Sequence, residues 1–439
     1  MPRPDRTSSE PGPYLRAASA AWRWRLELGI LLTTWCAGHV AFALGGPVGL
    51  AGAVGGAAVA FASVPPLRLR LIGALQHATR LRWLDRGLIA AGLSNANGNG
   101  PRVLALRPVP AGLQARIRLP LGIDPDTVVT AAPTAAAALG VRDVRFRRER
   151  ANAGISEVTI VLHDGLAGPP LVWPWRDAPG TSLWRPLPLG VDEDGQWVQL
   201  ALPERNLLVG GEPGAGKSVA LSVILATAAL DPTVTLTLLD GKQVELAGWA
   251  PCADRFVGLD LGEATAALEA VRVEMDRRYD MLLATGRRKV AEGDPQGMHV
   301  VVIDELAFYT AGGAKGERAR FADLLRDIVA RGRAAGVVVV AATQKPSHDV
   351  VPTTIRDLFS YRLAMRCTTN EASETILGSG WASQGWSAAT IDPAARGVGL
   401  LLHEGGTPLR MRVCWLDDDT LAAIAARAAA MRRQHGTAR

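Results

Sequence analysis

The segment at residues 211–218 constrains the fold of this chain more than any other. It reads Gly-Glu-Pro-Gly-Ala-Gly-Lys-Ser, follows the apolar run 207–209 and precedes a helix-forming stretch, 219–230. In such a strand, loop and helix, glycines let backbone N–H groups close around phosphate oxygens, and the helix N-terminus adds positive potential. Unless it is a chance glycine-rich turn, the segment predicts an α/β fold with a phosphate-binding loop. The predicted loop comprises Gly211, Glu212, Pro213, Gly214, Ala215, Gly216, Lys217 and Ser218.

Two side chains of this loop suit a nucleoside triphosphate. The Lys217 ammonium can neutralise charge on the β- and γ-phosphates, and the Ser218 hydroxyl can ligate Mg²⁺. A second segment, 299–305, has four consecutive β-branched residues and ends in Asp304 and Glu305. It predicts a buried parallel strand, and open α/β sheets bind ligands at the carboxyl ends of their strands. We therefore expect Asp304 to hold Mg²⁺ together with Ser218, and Glu305 to orient the attacking water.

A third predicted strand, 337–342, ends in Thr343 and Gln344. Gln344 is either a sensor of the γ-phosphate or an ordinary polar cap of the strand. In the first case Gln344, Lys217 and Glu305 are the catalytic groups of a predicted hydrolytic site for ATP and Mg²⁺.

The composition allows two or three folded units. The chain has 439 residues, 48% of them hydrophobic, and a formal net charge of +6. Chains of this length usually exceed one domain, and the basic excess is compatible with a polyanion or an anionic membrane surface. The four cysteines are scattered without metal-ligand spacing. They indicate neither a zinc site nor a disulfide framework and are typical of a reducing compartment.

The N-terminal region carries two uncharged apolar runs, 28–44 and 48–64, separated by residues 45–47. Each run is close to the minimum length for crossing a bilayer. Arginines flank the pair on both sides and are absent from the turn, so the positive-inside rule predicts cytoplasmic ends and an outward-facing turn. We therefore predict a disordered cytoplasmic tail at 1–25 and two transmembrane helices at 26–66. The alternatives are a buried helical hairpin of a soluble protein and a cleaved signal peptide.

Four further segments complete the predicted organisation. Residues 67–100 form a helical linker, and 101–165 form a small α+β domain without clustered catalytic groups. Residues 166–418 form the ATPase domain that contains the phosphate loop. Residues 419–439 form a C-terminal helix and tail, because their apolar residues recur at helical spacing.

An ordered set of motifs surrounds the phosphate loop. Its segments are 206–218, 240–246, 274–279, 301–306 and 331–347. Together they resemble the FtsK/SpoIIIE family of membrane-anchored DNA translocases, and especially actinobacterial conjugation proteins of the TraB kind. The resemblance implies a RecA-like P-loop motor domain, ATP bound between subunits of a homo-hexamer, and double-stranded DNA in a central channel.

The resemblance also implies that a neighbouring subunit supplies an arginine to the γ-phosphate, a contribution worth ~10³ to 10⁵ in rate. Arg333 is the first candidate for this catalytic role and Arg331 the second, because both lie in the family-like segment before the third strand. Arg278 and Arg362 are further candidates. The alternative for each of them is an ordinary salt bridge.

The chain departs from the family pattern at both ends. Chromosome-pumping members have four membrane helices and a long linker, and both they and the TraB proteins end in a winged-helix module that reads DNA sequence. The residues after Asp419 are too few for such a module. We therefore expect sequence-independent contact with DNA phosphates, for which the loop 345–356 is a candidate. A separate DNA-recognition partner is then one possible source of sequence specificity.

These features predict an ATP-driven double-stranded DNA translocase, for conjugative transfer of a plasmid or an integrative element. It is expected to be a multi-pass protein of the cell membrane with its motor domain in the cytoplasm. One alternative is a motor ATPase resembling those of type VII protein secretion, although such proteins carry several ATPase modules in tandem. The other is a nucleotide-binding membrane scaffold, which would have no need for Glu305.

Overall fold

The structure is a computed structural model that describes residues 25–63, 65–95, 97–149, 151–312 and 314–436. The predicted tail at 1–25 lies outside the described residues except for its last position. The described chain divides into two compact units between Asp164 and Gly165.

Helix α1 (Arg25–Ser63) contains the first apolar run and residues 48–63 of the second. Its backbone leaves the helical conformation at Gly46, with φ 57° and ψ −149°, which glycine adopts without a Cβ clash. The chain folds back here, since a Cβ on Gly38 would lie 3.4 Å from Leu50 Cδ1, whereas twelve residues of continuous helix span about 18 Å. By length and composition, Gly29–Ala57 is the one candidate membrane segment within the described residues. The hairpin geometry is thus present, but with one candidate span instead of the two predicted.

The smaller unit also contains an antiparallel four-stranded sheet and three further helices. Its strands are β1 (Arg102–Val109), β2 (Gly112–Arg118), β3 (Asp143–Arg148) and β4 (Ile155–Val161), arranged in the order β1-β2-β4-β3. Its helices are α2 (Pro65–Ala90), α3 (Pro125–Thr130) and α4 (Ala132–Leu139).

Helix α2 belongs to the core of this unit. Leu84 and Leu88 are buried there with Leu93 and the inward-facing residues of the sheet. A Cβ on Gly87 would overlap the Leu139 side chain, so glycine permits the close approach of α2 and α4. The segment 67–100, predicted as a linker, is therefore largely part of the small folded unit.

The larger unit is built on one ten-stranded sheet. Its strands are β5 (Leu187–Asp192), β6 (Trp197–Leu200), β7 (Leu207–Gly210), β8 (Thr235–Leu239), β9 (Arg255–Val257), β10 (His299–Ile303), β11 (Val337–Thr343), β12 (Tyr361–Met365), β13 (Val398–His403) and β14 (Leu409–Val413). The order is β6-β5-β14-β13-β12-β7-β11-β10-β8-β9. Neighbours from β12 to β9 are parallel, and those from β12 to β6 are antiparallel.

Helices cover both faces of this sheet. They are α5 (Lys217–Ala229), α6 (Leu261–Ala284), α7 (Leu306–Ala311), α8 (Lys315–Arg331), α9 (Thr353–Arg356), α10 (Asn370–Leu377) and α11 (Asp418–Gln434), with short 3-10 turns at Ala247–Cys252, Ala382–Gln384 and Ala388–Thr390. Alternate residues of β10 enter opposite cores: Val300 and Val302 face one, Val301 and Ile303 the other. A strand buried on both sides needs a continuous apolar sequence, so the predicted α/β fold with a central parallel sheet is confirmed.

Helix α11 packs into the core on the same face as α5. Its residues Ile424, Ala425, Ala428 and Ala429 are buried there. Arg432 is fully buried and donates hydrogen bonds to the carbonyl oxygens of Asp231 and Val234 and to Asp254. The structure therefore shows no division at 418, where the sequence predicted the end of the ATPase domain.

Candidate nucleotide site

The phosphate loop connects the carboxyl end of β7 to the first turn of α5. Gly214 and Gly216 have φ angles of 75° and 112°, in the left-handed region that favours glycine. A Cβ on Gly216 would lie 2.9 Å from the Gly397 Cα atom. Glycine at 216 therefore permits the turn before β13 to pack directly against the phosphate loop.

Lys217 is buried inside the loop. Its Nζ donates hydrogen bonds of 2.7 Å to the carbonyl oxygens of Gly211 and Glu212. The pKa of Lys217 is lowered to about 8, chiefly by burial and also by the nearby Lys242 cation, while Glu305 and Asp304 oppose the shift. The four side chains thus share one electrostatic environment, as the prediction for the site requires.

Asp304 follows β10 and is buried, 2% exposed. Its Oδ2 atom accepts no hydrogen bond from the described residues, although Lys242 Nζ lies 3.4 Å away. Burial raises the pKa of Asp304 to about 6 against the opposing effect of Lys242. A buried carboxylate oxygen whose cationic neighbour lies 3.4 Å away is suited to a hard cation, which takes oxygen ligands. Asp304 therefore fits a predicted Mg²⁺ ligand, and Ser218, the other predicted ligand, lines the cleft beside Lys217.

Glu305 is held by the end of β11. Its carboxylate accepts a 2.8 Å hydrogen bond from Thr343 Oγ1 and a 3.0 Å bond from the Gln344 backbone N–H. It also accepts a bond from the N–H of Ala307 and thereby caps α7. These bonds fix the rotamer of Glu305. Gln344 serves Glu305 through its backbone, and the residue also lines the cleft with Lys217.

The strand order explains why these residues meet. Strand β11 lies between β7, which leads to the phosphate loop, and β10, which leads to the two acids. The three strands are parallel, so their carboxyl ends lie at one edge of the sheet. Asp304, Glu305, Gln344 and Lys217 are therefore neighbours, as predicted.

Lys242 is a residue of this site that the sequence analysis did not select. It follows β8, which pairs in parallel with β10, and its Nζ lies 3.4 Å from Asp304, 4.0 Å from Glu305 and 3.8 Å from Glu245. The signal was present, because 240–246 is one of the family-like segments. The sequence analysis also did not predict that residues 170, 171, 412, 413 and 415 line the cleft.

Arg333 lies at the opposite edge of the sheet. It precedes the amino end of β11, is 46% exposed in its side chain and lies 3.5 Å from Glu404. Seven residues of β11, at about 3.3 Å each, separate this position from the edge that carries the phosphate loop. Arg333 is therefore not brought into the cleft of its own subunit, and its action in a neighbouring site stays a prediction.

The other candidate arginines have local partners. Arg278 is fully buried and donates to the carbonyl oxygens of Gly297 and Ala335. Arg362 donates to the carbonyl oxygen of Leu377. Arg331 forms salt bridges with acids on α6 and α8. These contacts explain Arg278 and Arg362 as structural residues.

Fold and site together define an ATP-hydrolysing P-loop enzyme with a central parallel sheet. Residues 184–374, somewhat less than half of the chain, match the FtsK/SpoIIIE family. The match bears out the resemblance predicted from the motifs for these residues.

Curated relatives extend the similarity beyond these residues. The chain is 29% identical over 346 residues to the DNA translocase FtsK of Staphylococcus epidermidis, a match that covers 73% of this chain and 42% of the relative. The corresponding protein of Staphylococcus aureus is 29% identical over 345 residues, with 73% and 43% covered. The chain thus spans about two fifths of the length of these relatives.

Solved structures support the fold. The pCW3 conjugation coupling protein TcpA, in a monomer form with ATPγS, is 19% identical with a TM-score of 0.54, and the match covers 81% of this chain and 99% of TcpA. ATPases 2 and 3 of EssC from Geobacillus thermodenitrificans are 15% identical with a TM-score of 0.50, covering 61% and 52%.

Proposed function

We propose that this chain is a membrane-anchored motor that hydrolyses ATP to move double-stranded DNA, in conjugative transfer of a plasmid or integrative element. The observation that carries the proposal is the grouping of Lys217, Asp304 and Glu305 at one sheet edge, within the residues that match the FtsK/SpoIIIE family. The TcpA likeness supports the fold, and the curated DNA translocases supply the choice of substrate.

The proposed mechanism assigns one task to each residue of the site. Backbone N–H groups of the loop 211–218 and the Lys217 ammonium bind the β- and γ-phosphates. Glu305, fixed by Thr343 and the Gln344 N–H, orients the attacking water and accepts its proton. The Gln344 side chain contacts the γ-phosphate. The parallel strands that lead to Lys217 and to the two acids end at one edge of the sheet, which supports a mechanism in which phosphate and water bind side by side.

Ser218 and Asp304 would hold Mg²⁺ in this site. The ion would supply positive charge that offsets the charge developing on the phosphate oxygens. The raised pKa of Asp304, about 6, still leaves its carboxylate ionised at neutral pH.

The proposed contacts with DNA and with the membrane are those that the resemblance to the FtsK/SpoIIIE family implies. Exposed lysines and arginines, including Lys345 of the loop 345–356, contact DNA phosphates without reading bases. The reversed helix α1 anchors the chain in the cell membrane as a hairpin, with the motor domain in the cytoplasm. Six subunits form the ring, and a separate partner selects the DNA.

Steady-state ATP turnover with and without long duplex DNA tests this function. We expect turnover to rise with duplex of any sequence, and DNA affinity to fall as salt rises, because binding to phosphates releases counterions. Turnover indifferent to DNA but raised by a secreted protein would favour the secretion motor. Absence of turnover under all these conditions would leave only the scaffold.

Arg333→Ala is expected to remove turnover and retain ATP binding, since the arginine acts on the site of a neighbouring subunit. Inactive Lys217→Ala chains keep Arg333, and Arg333→Ala chains keep Lys217. In a ring assembled at random from equal amounts of the two chains, about a quarter of the subunit junctions combine an intact Lys217 with an intact Arg333. Turnover should therefore reappear in the mixture. Arg326→Ala is the control, since the Arg326 side chain is exposed on α8 and pairs with Asp323. An Arg333→Ala chain with parent turnover would remove Arg333 from the mechanism.

A further inference from the structure

The nucleotide cleft continues past the phosphate loop into an apolar region. The cleft has a volume of about 470 Å³, and Lys217 and Ser218 line one part of it. Pro170, Leu171 and Trp415 line another part. The phosphate loop and a group of apolar and aromatic residues, here called the apolar end, thus line one cleft, and Arg396 and Arg412 line it as well. The two kinds of lining suit the phosphates and the base of a nucleoside triphosphate.

Two segments from opposite ends of the larger unit build the apolar end. The Trp415 N–H donates a 2.6 Å hydrogen bond to the carbonyl oxygen of Leu171, and Val172 pairs with Trp415 as an isolated parallel bridge. Arg412 donates to three carbonyl oxygens of the segment 166–169, at 3.0 to 3.1 Å. The chain before β5 is thereby fixed against the end of β14. Both segments lie outside the family match at 184–374.

The exposure of Trp415 is unusual for its surroundings. Its neighbours Cys414 and Leu416 are buried, whereas Trp415 is 46% exposed. Trp173 and Trp249, elsewhere in the same unit, are 0% and 3% exposed. The backbone of Trp415 is fixed at the wall of the cleft and the residue is half exposed there, and aromatic side chains stack on bases.

We propose that Trp415, with Pro170 and Leu171, forms the base-binding part of the nucleotide site, where the purine of ATP stacks on the indole. The inference rests on the proposed function, since it presupposes that ATP phosphates occupy the loop 211–218. It adds a binding surface contributed by residues on either side of the FtsK/SpoIIIE match.

Binding of ATP and of inorganic tripolyphosphate to the full chain separates the two ends of the site. Base–aromatic stacking contributes ~1–3 kcal/mol, and 1.4 kcal/mol is tenfold in affinity, so Trp415→Ala should weaken ATP binding about tenfold. Tripolyphosphate, which has no base, should bind the variant as it binds the parent. Trp415→Phe should restore most of the ATP affinity. Trp197→Ala is the control, because Trp197 is 47% exposed on β6 and does not line the cleft.

Photolabelling of the unaltered chain with 8-azido-ATP gives a second test that requires no substitution. The label should attach to peptides containing Trp415 or residues 170–171. Labelling confined to other peptides, or equal loss of ATP and tripolyphosphate affinity in Trp415→Ala, would overturn the inference. Failure of the parent chain to bind tripolyphosphate or ATP would instead contradict the proposed function, so the two failures are distinguishable.

Discussion

Glu305→Gln is expected to reduce ATP turnover by ~10²–10⁴-fold, the range in which a positioned general base contributes. The substitution preserves the shape of the side chain and one oxygen acceptor, at the position of Oε1, which takes hydrogen bonds from Thr343 Oγ1 at 2.8 Å and the Gln344 N–H at 3.2 Å. It removes the carboxylate that takes the proton of the attacking water. ATP affinity should stay near that of the parent, because Lys217 and the phosphate loop are unchanged. Equilibrium binding and steady-state phosphate release measure the two effects separately.

Glu263→Gln is the matched control for this prediction. Glu263 is exposed in the first turn of α6 and does not line the cleft, and its substitution should leave turnover unchanged. Parent turnover in Glu305→Gln would remove Glu305 from the role of base. A loss of ATP affinity equal to the loss of turnover would make Glu305 a binding residue instead.

Lys217→Ala is expected to abolish both binding and turnover. An ammonium that donates two hydrogen bonds to phosphate oxygens contributes about 1.5–3 kcal/mol per bond, so ATP affinity should fall by at least ~10²-fold. The fold should survive, because burial already disfavours the charged amine and lowers its pKa to about 8. Nucleotide binding and thermal unfolding of the same sample check both statements.

Lys315→Ala provides the comparison, since Lys315 is exposed at the start of α8 and should behave as the parent does. Retention of ATP affinity by Lys217→Ala would show that the nucleotide binds elsewhere. A large drop in thermal stability would instead assign Lys217 a structural role through its bonds to Gly211 and Glu212.

The parts of the fold that could be predicted are those with local patterns. The phosphate loop and β10 are continuous apolar or glycine-rich segments, and a period or motif identifies them without knowledge of their neighbours. Strand β14, by contrast, was not among the strands predicted. It alternates arginine with apolar residues, and its Arg410 donates a hydrogen bond to Glu193, which is distant in the sequence. Helix α2 presents arginines over much of its surface, which concealed the buried Leu84 and Leu88.

Some residues of the candidate site could likewise be predicted from local patterns, and others could not. Lys217, Asp304 and Glu305 each end or begin a recognisable local segment, so their meeting required only a parallel sheet. The position of Lys242 depends on β8 lying beside β10, and strand order is a property of the whole sheet. Trp415 lies about two hundred residues from the phosphate loop along the chain. Its place in the cleft depends on contacts with 166–172, which no local pattern records.

An experimental structure of the Glu305→Gln chain with ATP and Mg²⁺ tests the central claim most directly. The account predicts intact ATP with its triphosphate between the Lys217 amine and the Asp304 carboxylate, and one Mg²⁺ ligated by Ser218 and Asp304. A triphosphate bound outside the loop 211–218, or a Lys217 amine and an Asp304 carboxylate too far apart to share one triphosphate, would contradict it.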